Sequence, residues 1–343
     1  MTAAANAESL ARGQLPARLW LSALSGVLCV VVFTNASVAA EASDDPQESL
    51  DRMARAARTL NYDGTFVYRN GATMQTMRII HRFGADGERE RLVALSGAAR
   101  EVIRDRDRVV CILPDRQLVV VTKSRPRTFP YSKLFEFDSG FARFYALSVA
   151  RGERVAGRHT KLVVVDPYDR FRYGYRLWMD RDTGLLLKSE LIDERGEIVE
   201  QLVYTRIDLP AEIPDELLEP EISGAGYTWY NGDQAGLTAV SGAGAEAKWY
   251  PDWLPDGFEP HDRARDPVLA GRDPVVHLAF SDGLASVSVF IERLDAASES
   301  LYGLDSVGAV NAYGSMVDDV QITVVGEVPA ATVERIAASI AKR

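Results

Sequence analysis

RYGYRLWMDRDTGLLLKSELIDERGEIVEQLVYTRI, residues 172–207, reads as three antiparallel strands in succession. Side chains alternate along a strand, so Arg172–Asp180 places Tyr173, Tyr175 and Leu177 on one face and Gly174, Arg176 and Trp178 on the other. Asp182-Thr183-Gly184 and Glu194-Arg195-Gly196 are turn sequences, because glycine accepts the positive φ that tight turns require. Leu185–Asp193 and Ile198–Ile207 are the strands those turns connect.

The same pattern extends towards the N-terminus. Lys161–Val165 is a further strand, and an earlier meander runs through Thr65–Arg69, Thr73–Phe83, Arg89–Ser96, Glu101–Arg104, Arg108–Leu113 and Gln117–Lys123. Asn70-Gly71 is a two-residue hairpin signal and Pro114-Asp115 a turn. Two helical patterns accompany the strands. In the first, Asp45-Pro46-Gln47-Glu48 reads as an acidic cap with proline at the first helical position, followed by Leu50, Met53, Ala54, Ala57 and Leu60 at helical spacing. The second is Ser139–Val149. About nine strands before residue 210 with helices packed on them make a large, curved antiparallel sheet in an α+β chain.

Between the two sets of strands, seven of the chain's thirty aromatics fall in residues 129–145: Phe129, Tyr131, Phe135, Phe137, Phe141, Phe144 and Tyr145. They read either as core docked on the sheet or as the floor or lid of an apolar cavity for an acyl chain. Composition does not separate the two.

Leu209-Pro210, Ile213-Pro214 and Glu219-Pro220 then break the pattern, and residues 222–246 are rich in Gly, Ala, Ser and Thr. That stretch reads as a linker, with Tyr227, Trp229 and Tyr230 available to complete the large sheet or touch a second domain. The second domain, 247–343, opens with the turn Trp253-Leu254-Pro255-Asp256-Gly257-Phe258. Val275–Ser281 and Leu284–Arg293 form a hairpin across Asp282-Gly283, Val307–Met316 and Val320–Gly326 add strands, and Pro329 opens a helix with Val333, Ile336, Ala337 and Ile340 in one stripe. This is a small α+β domain of about four strands and one helix.

Residues 1–40 carry an export signal. Arg12 and Arg18 precede an apolar run from Leu19 to Phe33, and Val38 and Ala40 stand where a signal peptidase reads small residues. The run is shorter than the roughly 20 residues a membrane span needs. Cleavage after Ala40 leaves 41–221 as the large domain and Cys111 as the one remaining cysteine, so no intramolecular disulfide forms. A net charge of −10 with no long basic cluster argues against nucleic acid as partner.

Catalytic and cofactor motifs are absent: there is no HExxH, G-x-S-x-G, Walker loop or C-x-x-C pair. His81, His159, His261 and His277 are scattered without metal-ligand spacing. No catalytic residue, cofactor or metal is expected.

Three stretches carry a resemblance. They are Leu177-Trp178-Met179-Asp180 with Gly184, Leu187, Leu191 and Gly196; Trp253–Phe258 followed by Phe280–Val289; and Val324–Pro329 with Arg335-Ile336-Ala337 and Ser339-Ile340. In order and spacing the chain resembles the MucB/RseB family over the whole mature sequence. The resemblance implies a large domain like lipoprotein carriers, an open, unclosed β-barrel with helices on its concave side, beside the small domain. It implies a periplasmic, non-enzymatic regulator that binds the periplasmic part of a membrane-spanning anti-sigma factor and protects it from site-1 proteolysis. Release by lipopolysaccharide or acyl chains is implied too; self-association into a homo-oligomer stays open. The alternative is a periplasmic lipid or lipoprotein carrier. The candidate lipid-cavity residues are Phe129, Phe135, Phe137, Phe141, Phe144 and Tyr145, and the candidates for partner-binding or interdomain contact are Trp253, Phe258, Asp282 and Gly283.

Overall fold

The computed structural model describes residues 45–106, 108–123, 140–231, 249–260, 276–293 and 300–342. The expected signal peptide, Phe129, Tyr131, Phe135, Phe137 and residues 232–246 lie outside them.

Helix α1 (Pro46–Thr59) begins where its cap predicts, with the Asp45 carboxylate accepting from the Gln47 amide at 2.9 Å. Twelve strands follow in one sheet: β1 (Tyr62–Asn70), β2 (Thr73–Gly84), β3 (Gly87–Ala94), β4 (Glu101–Asp105), β5 (Arg108–Leu113), β6 (Leu118–Lys123), β7 (Tyr145–Val155), β8 (Arg158–Pro167), β9 (Gly174–Asp180), β10 (Leu186–Ile192), β11 (Ile198–Asp208) and β12 (Thr228–Asn231). Their order is β12-β6-β5-β4-β3-β2-β1-β11-β10-β9-β8-β7. Pairing is antiparallel except between β12 and β6. The edges β12 and β7 do not pair with each other among the described residues, so the sheet stays open.

Its curvature follows from the helix. α1 touches both β2 and β7, which stand six strands apart in the sheet. At about 4.8 Å per strand that separation is roughly 29 Å in a flat sheet, against a helix about 10–12 Å across. The sheet therefore wraps around α1. Tyr62 on β1 donates to the Ala57 carbonyl, and Lys161 on β8 to the Ser49 hydroxyl at 3.3 Å. Leu50 and Met53 sink fully among Val163, Leu177 and Met179 on this concave face.

The convex face of β2–β6 is covered by residues 209–227. Ile213 and Leu218 pack on Ile80, and Ile222 and Tyr227 on Ile103, Ile112 and Val119. A buried ion pair, Arg91 with Glu101, ties this strap down: Glu101 accepts from the amides of Glu221 and Ile222, and Arg91 donates to the Leu217 carbonyl. The stretch expected as linker thus begins as sheet, with Trp229 and Tyr230 of β12 opposite Val119 and Val120.

The expected helix Ser139–Val149 is not formed. A single 3-10 turn, Phe141–Arg143, leads into β7, which pairs with β8 along its length. Leu147 and Val149 alternate with exposed Ala146, Ser148 and Ala150. In a short run of small and apolar residues, periods of 2 and 3.6 look alike, and a waiting strand edge decides between them. With β7 and full-length neighbours, the strands before residue 210 number eleven.

The small domain holds β13 (Trp249–Pro251), β14 (Glu259–Pro260), β15 (Val276–Ser281), β16 (Ser286–Arg293), β17 (Gly303–Val307), β18 (Val310–Val317), β19 (Val320–Gly326), helix α2 (Ala330–Ala338) and β20 (Ile340–Lys342). Six strands form a sheet in the order β14-β15-β16-β19-β18-β17, and β13 pairs with β20. The single strand expected over Val307–Met316 is two strands, because the chain turns back at Gly308, with φ +62°. Val333, Ile336 and Ala337 of α2 close the core over Val287, Val289, Ile322 and Val324. No helix among the described residues is long and apolar enough to cross a membrane.

Candidate functional site at the junction of the two domains

Several segments that meet the small domain lie at one end of the large sheet: the β1–β2 turn, the start of β7 and the β8–β9 connection. Leu284 and Ala309 of the small domain enter the same apolar core as Tyr145, Val165, Tyr175 and Leu191. The small domain therefore stops one end of the half-barrel.

The β8–β9 connection is the centre of the junction. Asp169 accepts from the Phe171 amide at 2.9 Å, a side-chain-closed turn, and the Tyr168 amide donates to the Phe144 carbonyl. This turn aims Phe171 and Arg172 at the small domain. The Phe171 ring meets Trp253 edge-on at 4.9 Å, and its carbonyl accepts from the Thr332 hydroxyl at 2.9 Å. The Arg335 guanidinium sits 3.9 Å from the Trp253 ring centre.

Arg172 is fully buried. Its guanidinium lies 4.9 Å from the Phe144 ring centre, 5.7 Å from Tyr145 and 5.3 Å from Phe258. It donates to the Asp256 carbonyl and stands 3.4 Å from each of the carboxylates of Asp169 and Asp282. At that length the contact with Asp282 is an ion pair but not a hydrogen bond, and Nε and Nη1 of Arg172 make no hydrogen bond among the described residues. Asp282, also fully buried, accepts from the Tyr145 hydroxyl at 3.0 Å and from the amides of Leu284 and Ala285 at 2.9 and 2.7 Å.

Two further contacts flank this cluster. Asn311 donates to the Tyr173 hydroxyl at 3.0 Å and to the Val328 carbonyl at 2.7 Å. Asn70, at the β1–β2 turn, accepts from the Ala309 amide at 3.2 Å. Glycine is required at both approaches: a Cβ on Gly257 (φ +85°) would enter the Phe144 ring, and one on Gly308 would collide with Asn70.

Burial shapes the tyrosines. Tyr145 is held well above the usual phenol range by burial and then by the charge of Asp282. Tyr175 is raised likewise, chiefly by burial, and Tyr173 is pushed up to about 12. All three are neutral donors or acceptors at any physiological pH.

A second surface extends along the concave side from β2, which α1 touches, to the edge strand β12. The strand register aligns Ile79, Leu92, Val102, Cys111, Val120 and Tyr230 in one row across β2–β6 and β12. Leu92 is buried, the middle of the row is half-buried, and Tyr230 is exposed. Burial raises the Cys111 thiol above its ordinary range, which makes it a poor nucleophile. Among the described residues no group of three or more His, Cys, Asp or Glu could hold a metal ion.

Of the residues singled out in the sequence, Phe141 and Tyr145 are buried beside α1, and Phe144 reaches the junction. Trp253, Phe258 and Asp282 meet the large domain there, while Gly283 (φ +96°) forms the turn beside Asp282. Phe129, Phe135 and Phe137 lie outside the described residues. Phe171, Arg172, Asn311 and Thr332 also meet at the junction, joined by Asn70 and Arg335, which the sequence marks as a hairpin residue and as part of a family-like stretch but not as interdomain contacts. Arg172 had one signal: a charge within an aromatic run, between Phe171 and Tyr173.

Comparison with known proteins agrees over both domains. The sequence models of the MucB/RseB N-terminal domain and the MucB/RseB C-terminal domain match residues 45–222 and 243–341. The sigma factor AlgU regulatory protein MucB of Pseudomonas aeruginosa is 37% identical over 319 residues, 89% of this chain and 93% of that protein. The sigma-E factor regulatory protein RseB of Escherichia coli (strain K12) is 26% identical over 293 residues, 85% of this chain and 89% of its own length. Among solved structures, the Pseudomonas aeruginosa MucA/MucB complex aligns with TM-score 0.65 at 34% identity, covering 87% of this chain and 99% of that one. A crystal structure of MucB in complex with MucA(peri) aligns with TM-score 0.64 at 32% identity, with the same coverage.

Proposed function

The chain belongs to the MucB/RseB family, and from that premise we propose that it is a periplasmic regulator that binds the periplasmic part of a membrane-spanning anti-sigma factor. Bound there, it shields the anti-sigma factor from the site-1 protease and so restrains the envelope-stress response. The observation that carries this reading is the match over both domains to proteins solved in complex with MucA. The junction supports it physically. Arg172 of the large domain meets Asp282 of the small one, which also accepts from Tyr145, so a partner meets two domains packed on a shared junction.

The concave row from Leu92 to Tyr230 supports a finer reading, in which an amphiphile enters the large domain and weakens partner binding. A ligand can do this only through different affinities for the free and bound regulator, and the partner must weaken amphiphile binding by the same factor. A coupling of about 1–3 kcal/mol would change affinity roughly 5- to 150-fold. The same row also suits the alternative, a lipid or lipoprotein carrier, for which the small domain would be superfluous.

The test is calorimetric titration of the full mature chain with the recombinant periplasmic segment of an anti-sigma factor from the same organism, alone and with rising amphiphile. Alongside it, site-1 cleavage of that segment is timed with and without the chain. Saturable binding and slowed cleavage are expected. No binding, or cleavage at the unprotected rate under saturation, refutes the regulator reading. Unchanged affinity with amphiphile demonstrably bound refutes release and favours the carrier.

A further inference from the structure

The junction has an energetic feature that ordinary core packing lacks. Arg172 and Asp282 are both sealed from water, one contributed by each domain, yet they meet at 3.4 Å rather than in a tight fork. Nε and Nη1 of Arg172 are left without hydrogen bonds among the described residues. Burying two charges costs several kcal/mol each, and their attraction returns this only when geometry is good and the remaining donors are satisfied. Here three aromatic rings, the Asp256 carbonyl, Asp169 and the Tyr145 hydroxyl on Asp282 make up part of the deficit. When the domains part, both charges regain water and the unsatisfied donors are hydrated.

We propose that Arg172, Asp282 and Tyr145 form an interdomain latch, a cooperative charge cluster that holds the small domain in one orientation and opens as a unit. Its net contribution to docking is small, because burial and pairing nearly cancel. Its contribution to orientation is large, because any other placement leaves a buried charge without its partner. The further charge in contact with it is Asp169 on the β8–β9 connection; Arg143 and Arg170 stand over the neighbouring rings of Phe144 and Phe171, and Asp256 meets Arg172 through its backbone carbonyl. Phe171–Trp253, Asn311–Tyr173 and Asn70–Ala309 make the rest of the contact and add no buried charge. A latch of this kind allows two discrete arrangements of the domains instead of a continuous range. Its consequence for partner binding rests on the regulator reading above; the latch itself does not.

The test uses the full mature chain with Cys111→Ser and spin labels on cysteines at the exposed positions Ala150 (β7) and Glu334 (α2). Interdomain distances are read by pulsed electron paramagnetic resonance, with segment affinity measured on the same samples. The parent should give one narrow distance. Asp282→Asn keeps the shape of the side chain but leaves Arg172 without its interdomain partner, and should shift the docked-to-open ratio by roughly 150- to 5,000-fold, the equivalent of the about 3–5 kcal/mol that breaking a buried pair typically costs. Tyr145→Phe, which removes one hydroxyl and no charge, should shift it less in the same direction. Adding Arg172→Met to Asp282→Asn should restore the narrow distance, because no charge is then buried. A single narrow distance in both Asp282→Asn and Tyr145→Phe overturns the latch, as does a double variant as open as Asp282→Asn alone. If the domains open and segment affinity does not change, the latch stands and the two-domain binding surface fails.

Discussion

Replacing Trp253 with alanine separates a structural tryptophan from a binding one. The indole is half-buried and makes three kinds of contact. Arg335 lies 3.9 Å from the ring centre, a cation–π contact of about 1 kcal/mol. The edge-on Phe171 at 4.9 Å adds about 1 kcal/mol. Roughly 100 Å² of shielded apolar surface, at about 25 cal/mol per Å², adds about 2.5 kcal/mol. These overlap, so their sum is a ceiling, and a loss of about 3 kcal/mol is expected, the lower end for a large aromatic cut to alanine. The Trp253 carbonyl is held by the Ser339 hydroxyl at 3.1 Å, so the backbone keeps its anchor in the variant. For a chain of this size the melting midpoint should fall by roughly 5 °C or more, and Trp253→Phe should recover about half. Scanning calorimetry with urea titration at two wavelengths is the assay. A Trp253→Ala protein that melts within a degree of the parent refutes the reasoning. If it has also lost affinity for the anti-sigma segment, the indole is an interface hot spot, where tryptophan is enriched.

Glu101→Ala removes the buried partner of Arg91, which keeps Glu221 on the strap at 2.8 Å; a loss of about 1.5–3 kcal/mol in urea is expected for the charged hydrogen bond lost, and Arg91→Met added to it should recover part of that loss. Leu50→Ala opens a cavity between α1 and the concave face; it should cost about 2–5 kcal/mol, with the near-ultraviolet signal of the large domain lost at lower temperature. Tyr145 and Tyr175 stay protonated when folded, at a pH where exposed phenols ionise. The unfolded chain therefore releases protons first, so stability is full below about pH 10 and declines above it by about 1.4 kcal/mol per pH unit for each tyrosine. Tyr175→Phe should flatten that alkaline limb in a pH series of thermal melts, and an unchanged limb would contradict the assignment.

Much of the fold was legible locally. Asp45-Pro46 announced α1, Asn70-Gly71 the first hairpin, and Asp282-Gly283 the hairpin of the small domain, each because a cap or turn imposes its residues within four positions of chain. Where the signal was ambiguous, partners decided. The run after Gly140 could coil or extend, and it extends because β8 offers a full-length edge. The strand read across Val307–Met316 breaks at Gly308, where the turn meets Asn70 from the other domain. Trp229 and Tyr230 sit in a stretch of linker-like composition, yet they pair with β6, more than a hundred residues away.

By itself, then, the sequence determined the alternation of the strands, the caps and turns, the absence of catalytic motifs and the family resemblance, all of which depend on neighbours along the chain. The tertiary structure decided how far the sheet curls around α1, which strands form its edges, and that Arg172 meets Asp282. That last pair is 110 positions apart, and nothing in either local sequence names the other. Such contacts arise only when distant segments are brought together and their charges must be matched out of water, a constraint that acts in space and leaves no period in the chain.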